Sequence, residues 1–299
     1  MKQNRHGEII LIGAGPASVS AALQLHRGGL DILVISPEVG GCVGYARKLE
    51  NLAGYPAGIT GPEFREGLRR QMTSRRIPRL EDTVTHLDFK KGRFHIRTDE
   101  CLVTAHTLIV GSGTLPIRLG IPGEKEALPG GRIVHHPEEL RTLAPDRVVI
   151  VGGGDVACDA ALALADQGVR VRMVIRGERM RALDSLVKQV TASPGISVEY
   201  SLLPTRILPG TNEINLECRS REKDIHYTTD AVLVAIGRRV NLDFLSPDFP
   251  FRTTSPEHRF FLVGDAAHPR HRQTAMALGD GMRAAMEIST PIRGESDAF

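Results

Sequence analysis

Residues 8–12 form a short, nearly unbroken apolar run, and it ends abruptly in Gly13-Ala14-Gly15-Pro16-Ala17-Ser18. A brief apolar run bounded by glycine reads as a strand buried on both faces. Small residues at helical spacing follow the turn, and a second apolar run occupies 31–35. The pattern predicts strand, glycine turn, helix and parallel strand at the spacing of a dinucleotide-binding βαβ unit. The same order returns at 147–151, Gly152-Gly153-Gly154-Asp155-Val156-Ala157, a helical stretch to about residue 167, and an apolar run at 169–175. One glycine string is a weak signal. Two, each set between a strand and a helix, point to two dinucleotide sites.

Between the two units the spacing predicts a helix over 62–77, opened by a capping box of Thr60 and Glu63 and carrying Phe64, Leu68 and Met72 on one face. Runs at 84–89 and 93–98, joined by Lys90-Lys91-Gly92, read as a hairpin. A strand at 107–110 then runs into Gly111-Ser112-Gly113-Thr114. Further strands are expected at 197–200, 214–219 and 231–235, and a last strand at 260–263 leads through Gly264-Asp265 to a helix over 273–288. The order suggests a first domain interrupted by a second. Residues 1–114 and 246–299 would form one domain, with 115–245 inserted. The expected fold class is α/β, with two Rossmann-like nucleotide-binding domains of the three-layer β/β/α type.

The composition changes this picture little. The chain has 299 residues, 41% apolar and 24% charged, which excludes collagen-like, disordered and disulfide-scaffold classes. A net charge of +3 gives no reason to expect a nucleic-acid partner. The cluster Arg65, Arg69, Arg70, Arg75, Arg76 and Arg79 reads as a solvated helix face. Cys42, Cys101, Cys158 and Cys218 contain no CxxC pair, which favours reduced thiols and a cytoplasmic location. No apolar run approaches the roughly 20 residues of a membrane span. Lys2 and Arg5 before an apolar stretch imitate a secretion signal, but Gly13, Gly15 and Pro16 interrupt it.

Glycine lets backbone approach a pyrophosphate closely, and the helix that follows directs free N–H groups and its positive dipole end at the anion. In the first turn, Ser18 stands where a third glycine would ease helix–strand packing. Gly13–Ala17, Gly40-Gly41, Leu49-Glu50-Asn51-Leu52-Ala53-Gly54-Tyr55-Pro56, Gly111-Ser112-Gly113, Ala235-Ile236-Gly237, Gly264-Asp265-Ala266 and Arg272-Gln273-Thr274-Ala275 occur in that order. Together they resemble low-molecular-weight thioredoxin reductases and their relatives over nearly the whole chain. The resemblance implies a homodimeric flavoprotein with FAD in the split domain and NADPH in the inserted one. It places Gly13, Gly15, Pro16 and Ala17 at the FAD pyrophosphate, and Glu38, Gly40, Gly41 and Cys42 along the ribose and flavin side. Asn51, Val84 and Gly113 would lie nearby, Asp265 would bond the phosphate–ribityl linker, and Arg272, Gln273 and Thr274 would face the flavin ring. In the inserted domain it assigns Gly152, Gly154, Asp155, Val156, Ala157, Arg176, Arg181 and Gly237 to the nicotinamide nucleotide. The strand at 31–35 has no terminal carboxylate for an adenosine ribose, and Glu38 is the available substitute.

The chain departs from that family in three places. Where a thioredoxin reductase carries CxxC, it has Val134-His135-His136-Pro137-Glu138-Glu139-Leu140. Thiol–disulfide exchange needs a thiolate and a resolving partner, so that mechanism is not expected. The segment is similar to its counterpart in thioredoxin-reductase-like ferredoxin–NADP reductases, as is Asp159. Those reductases extend past the last helix over the flavin, whereas residues 291–299 here are a short polar tail, which argues against the ferredoxin assignment. His135 and His136 are candidates for a proton donor or a flavin-stacking group, or form a loop pair facing solvent and carbonyls. As adjacent residues they point apart, and no metal site is expected. Cys42 is either a redox-active thiol beside the flavin or a small lining residue. Cys158 reads as packing, and Cys101 and Cys218 carry no signal.

The family binds the 2′-phosphate of NADPH with HRRxxxRA. The corresponding Ile175-Arg176-Gly177-Glu178-Arg179-Met180-Arg181-Ala182 keeps Arg176 and Arg181 but places Ile175 and Gly177 at the histidine and second arginine. NADPH is expected, with NADH open. The first functional reading is an FAD-dependent NAD(P)H oxidoreductase that passes electrons to a ferredoxin- or flavodoxin-type protein, a small oxidant or a quinone. The second is a catalytically silent flavin-binding sensor or interaction protein, or a reductase fed by a protein donor. Bleaching of bound flavin by NAD(P)H separates them.

Overall fold

The structure, a computed structural model, describes residues 4–221 and 223–290, so Lys2 and the polar tail 291–299 lie outside the described residues. The chain divides into two units. Unit 1 comprises Met1–Gly44, Lys48–Leu115 and Val240–Phe299; unit 2 comprises Tyr45–Arg47 and Pro116–Arg239.

In unit 1 the strand Asn4–Ile12 lies between Ile32–Ile35 and Leu102–Val110, parallel to both, with Ile9 opposite Ile32 and Ile12 opposite Ile35 and Val110. Arg79–Leu80 extends the sheet beyond Ile32–Ile35. The strand expected at 107–110 is longer because it serves two layers. Its last residues, Leu108 to Val110, pair in parallel with Phe260–Leu262. Its first part, Leu102 to Ala105, pairs antiparallel with Arg93–Thr98, which continues to Val84–Lys90. The helix Gly61–Ser74 opens on the expected capping box, with the Thr60 hydroxyl accepting from Glu63 N and the Glu63 carboxylate accepting from Thr60 N.

Two apolar clusters sandwich this sheet. One joins it to the helices Pro16–Arg27 and Thr274–Ser289 through Val19, Leu25, Ile109, Ala284 and Ala285. The two helices touch through backbone: a Cβ on Gly281 would lie 1.9 Å from Ala17 O. The other cluster centres on Phe94, Phe249 and Phe260, with Phe94 and Phe260 fully buried. The chain re-enters unit 1 at Val240 rather than at 246. The reason is packing: Phe244 and Leu245 join the phenylalanine cluster, and Leu87 N donates to Phe244 O at 2.7 Å.

Unit 2 carries a parallel sheet in the order Ile196–Glu199, Arg170–Val174, Arg147–Val151, Ala231–Val234 and Ile133–Val134. The helix Asp155–Ala165 covers one face through Ala157, Ala161 and Leu164, and ends two residues before the expected limit, ahead of Gly168 at φ +85°. An antiparallel sheet of Leu203–Pro209, Ile214–Arg219 and Asp224–Thr229 covers the other through Ile207, Leu216 and Tyr227. Two of those strands and the helix Asp184–Ala192 are not read from the sequence. No helix among the described residues is long and apolar enough to cross a membrane.

Candidate nucleotide sites

The first glycine of each turn is required by the protein itself. Gly13 has φ +90°, and a Cβ there would lie 2.4 Å from Gly111 O; Gly152 has φ +142°, and a Cβ would lie 2.2 Å from Ala235 O. In both cases the turn presses against the end of the neighbouring strand. The glycine two positions on is different. Gly15 (φ −74°) and Gly154 (φ −96°) have backbone that any residue adopts, and they cap the helices Pro16–Arg27 and Asp155–Ala165. A Cβ at Gly154 would meet nothing within 4 Å, and one at Gly15 would meet only Gly40 O at 4.0 Å. The space over each helix N-terminus is therefore open, with unpaired N–H groups directed into it. A pyrophosphate fits both.

Around the first turn, unit 1 gathers several of the expected residues. Gly40 N donates to Ala14 O at 2.7 Å and Gly13 N to Ile35 O at 2.8 Å. A Cβ on Gly41 would stand 3.6 Å from Gly15 Cα. Pro16 begins the helix, and Ala17 is buried against the closing helix. Glu38 is exposed, two residues after Ser36, whose hydroxyl donates to Glu38 O at 2.7 Å. Cys42 is half-buried, with Sγ 4.0 Å from Thr114 Oγ1 and near Gly113, where a side chain would meet open space. Asn51 Nδ2 donates to Gln273 Oε1 at 2.8 Å, joining residues far apart in sequence at the start of the helix Thr274–Ser289. Arg272 and Thr274 flank that glutamine. Asp265 lies in the turn Gly264–Ala266, which is held by Gly264 N donating to Asp280 Oδ2 at 2.7 Å. Val84 starts its strand and packs on the phenylalanine cluster.

Two features of this site escape the sequence. Ser18, at the third-glycine position, is fully buried with no hydrogen-bond partner for its hydroxyl. A Cβ on Gly111 would lie 2.1 Å from that hydroxyl, so the small residue that relieves the packing has moved to the facing strand end. The stem of Arg65 lies across the glycine loop, where a Cβ on Gly40 would be 2.4 Å from its Cγ. Helical position alone gave no hint of that contact.

Unit 2 holds a cleft of about 660 Å³ around the second turn. Gly152, Gly154, Asp155, Val156, Arg176, Arg181 and Gly237 line it, as does His135. Ala157 lies beneath instead, fully buried and 3.4 Å from where a Cβ on Gly152 would stand. Asp155 Oδ1 accepts from Leu183 N at 2.8 Å, bracing the loop that follows Arg181.

The two histidines have separate environments. His135 Nδ1 lies 3.2 Å from Val234 O, and since a carbonyl only accepts, Nδ1 is the donor in this contact. The His136 ring stacks on Tyr45 with centroids 3.7 Å apart, and its Nε2 accepts from Arg238 Nη1 at 3.3 Å. Burial pushes the His136 imidazole down to about 4, and Arg238 and His135 push the same way. It is thus neutral near pH 7. None of the four cysteines forms a disulfide, and burial raises the thiols of Cys158 to about 11 and Cys218 to about 12.

Known proteins share this fold. A thioredoxin reductase of Treponema pallidum is 30% identical, the match covering 95% of this chain and 97% of that protein. The crystal structure of Lactococcus lactis thioredoxin reductase superposes with a TM-score of 0.86 at 22% identity, covering 95% of this chain and 98% of the other. The bacillithiol disulfide reductase Bdr of Bacillus cereus has the same fold, with a TM-score of 0.77 at 16% identity over 96% of this chain and 100% of the other. The sequence pattern of the family described as pyridine nucleotide-disulphide oxidoreductase matches residues 7–281. With two βαβ glycine turns, one in each Rossmann-type unit, the chain belongs to the pyridine nucleotide-disulphide oxidoreductases.

Proposed function

We propose that this oxidoreductase takes FAD in unit 1 and NAD(P)H in unit 2, and passes electrons to an acceptor without a redox disulfide of its own. The observation that carries the reading is the pair of open glycines, Gly15 and Gly154, each at a helix N-terminus where neither backbone conformation nor neighbouring atoms ask for glycine. Bound FAD supplies the capacity to accept two electrons from a nicotinamide and hand them on. The chain's part is to bind and orient. The first helix N-terminus holds the FAD pyrophosphate, the exposed Glu38 carboxylate accepts from an adenosine hydroxyl, and Asp265 and Asn51–Gln273 position the remainder. In unit 2 the Asp155–Ala165 helix holds the second pyrophosphate, and His135 offers its Nε2 on the cleft wall. His136, stacked and kept neutral, positions this segment and does not donate a proton.

The segment 134–140 contains no sulfur, which separates the chemistry proposed here from thioredoxin reduction. The acceptor is then a small redox protein of ferredoxin or flavodoxin type, or a small oxidant. Exposed Met276, Met282 and Met286 along the closing helix support a homodimer, and four cysteines that form no disulfide support a cytoplasmic location. The purified protein is expected to be yellow, with one FAD per chain, and to bleach anaerobically on addition of NADPH or NADH. A colourless protein that takes up no added FAD would overturn the assignment of unit 1. A yellow protein that neither nucleotide bleaches would favour a silent flavoprotein or one reduced by a protein donor.

A further inference from the structure

Beyond the strand Arg170–Val174 the chain crosses the mouth of the unit 2 cleft and bends back over the glycine turn. Both sides of this crossing are tied to backbone. Ser201 N donates to Gly177 O at 3.0 Å and Leu202 N to Ile175 O at 3.1 Å, while Arg181 N donates to Gly153 O at 2.6 Å. So held, the crossing places three arginines, Arg176, Arg179 and Arg181, on the lining of one cleft. All three are exposed, and none of the three side chains has a hydrogen bond or ion pair among the described residues. Elsewhere in the unit Arg147 pairs with Asp230, and Arg172 pairs with Glu199.

The acceptor side of the cleft is equally informative. Ile175, just past the strand end, is 5% exposed and packs on the turn, where a Cβ on Gly153 would come within 3.0 Å of it. Hydrocarbon therefore occupies the place from which a carboxylate would accept a ribose 2′-hydroxyl. The cleft lining has one carboxylate, Asp155, and it accepts from Leu183 N. Three arginine side chains without a hydrogen bond or ion pair thus line a cleft whose one carboxylate is already engaged.

We propose that Arg179 is the third guanidinium of a 2′-phosphate clamp with Arg176 and Arg181, in place of the arm that Gly177 does not provide, and that it sets a preference for NADPH over NADH. The inference rests on the reading of this cleft as the nicotinamide nucleotide site. Guanidinium groups offer paired donors at full charge, which suits a phosphate dianion.

Calorimetric titration of the FAD-loaded protein with NADP+, NAD+ and 2′,5′-ADP tests it. The wild type should bind NADP+ more tightly than NAD+. Arg179→Ala should weaken NADP+ and 2′,5′-ADP about ten- to a hundred-fold, as expected for a lost charge-assisted bond, with NAD+ within about two-fold. Arg179→Lys should keep part of the affinity, and raised salt should cost the wild type more NADP+ affinity than it costs Arg179→Ala. Because Arg179 is exposed and unpaired, the melting temperature should not move. Unchanged NADP+ affinity in Arg179→Ala, or equal loss for NAD+ and NADP+, overturns the proposal and leaves the nucleotide site standing. A wild type that binds none of the three probes overturns both.

Discussion

At the scale of single residues, each glycine turn separates two demands on the same residue type. Gly152 answers to the protein, since φ +142° and the nearby Ala235 carbonyl exclude a side chain. Gly154 answers to no neighbour, since a side chain there meets only open space, and we assign it to the ligand. Gly152→Ala should therefore destabilise the chain by about 1–3 kcal/mol in denaturant unfolding, through strain at a positive φ. Gly154→Glu should leave stability within about 0.5 kcal/mol while abolishing nucleotide binding, because a carboxylate would project where the pyrophosphate belongs. A Gly154→Glu protein that still binds NADP+ would remove the main support for the unit 2 site. His136 makes a prediction of another kind. Unfolded, its imidazole takes up a proton near pH 6.5; folded, only near 4. Between those values the unfolded chain binds more protons, so stability should fall as pH drops through 6.5 and level off below about 4. His136→Gln should flatten that part of the curve, as read from denaturation midpoints at a series of pH values. An identical slope in the variant would show that burial does not hold the ring neutral in the folded chain.

Among the elements, the pair of helices Pro16–Arg27 and Thr274–Ser289 shows how the closing segment supports the first turn. A Cβ on Gly281 would lie 1.9 Å from Ala17 O, and the next residue back, Asp280, holds Gly264 N. Gly281→Val should force the helices apart, lower the melting temperature and weaken FAD affinity together, measured by thermal unfolding and flavin fluorescence. Loss of stability with unchanged FAD affinity would separate the helix contact from the site. Both βαβ units, the capping box and the hairpin were legible in the sequence, because each is a local pattern of apolar spacing and turn chemistry. The strand Leu203–Pro209 was hidden by its two prolines and by a register shift after Pro204. Asp184–Ala192 has a single fully buried residue, Val190, too little apolar face to announce a helix. In the sites, motif positions were legible and compensations were not. Ser18 and Gly111 exchange sizes across 93 residues, and Arg179 occupies a spacer position of the motif it completes.

For the molecule as a whole, the chemistry turns on what the segment 134–140 does without sulfur. NADPH with this protein should leave thioredoxin oxidised, and Cys42→Ser should retain flavin reduction, followed by dithionitrobenzoate and by anaerobic bleaching. Thioredoxin turnover that disappears in Cys42→Ser would reverse the reading of that cysteine. The two-layer strand Leu102–Val110 has a further consequence, for the order in which the protein is made. Its partner Phe260–Leu262 and the closing helix Thr274–Ser289 are translated after all of unit 2. Residues 111 to 259, 149 in all, separate Val110 from Phe260, so at ribosomal rates of about 5–20 residues per second the strand waits roughly 7–30 s for this partner. During that interval the nascent first half exposes the apolar edge formed by Leu108, Ile109 and Val110. Slowing or stalling translation near residue 245 would prolong the exposure, and nascent-chain aggregation or chaperone capture should peak for stalls between 240 and 260.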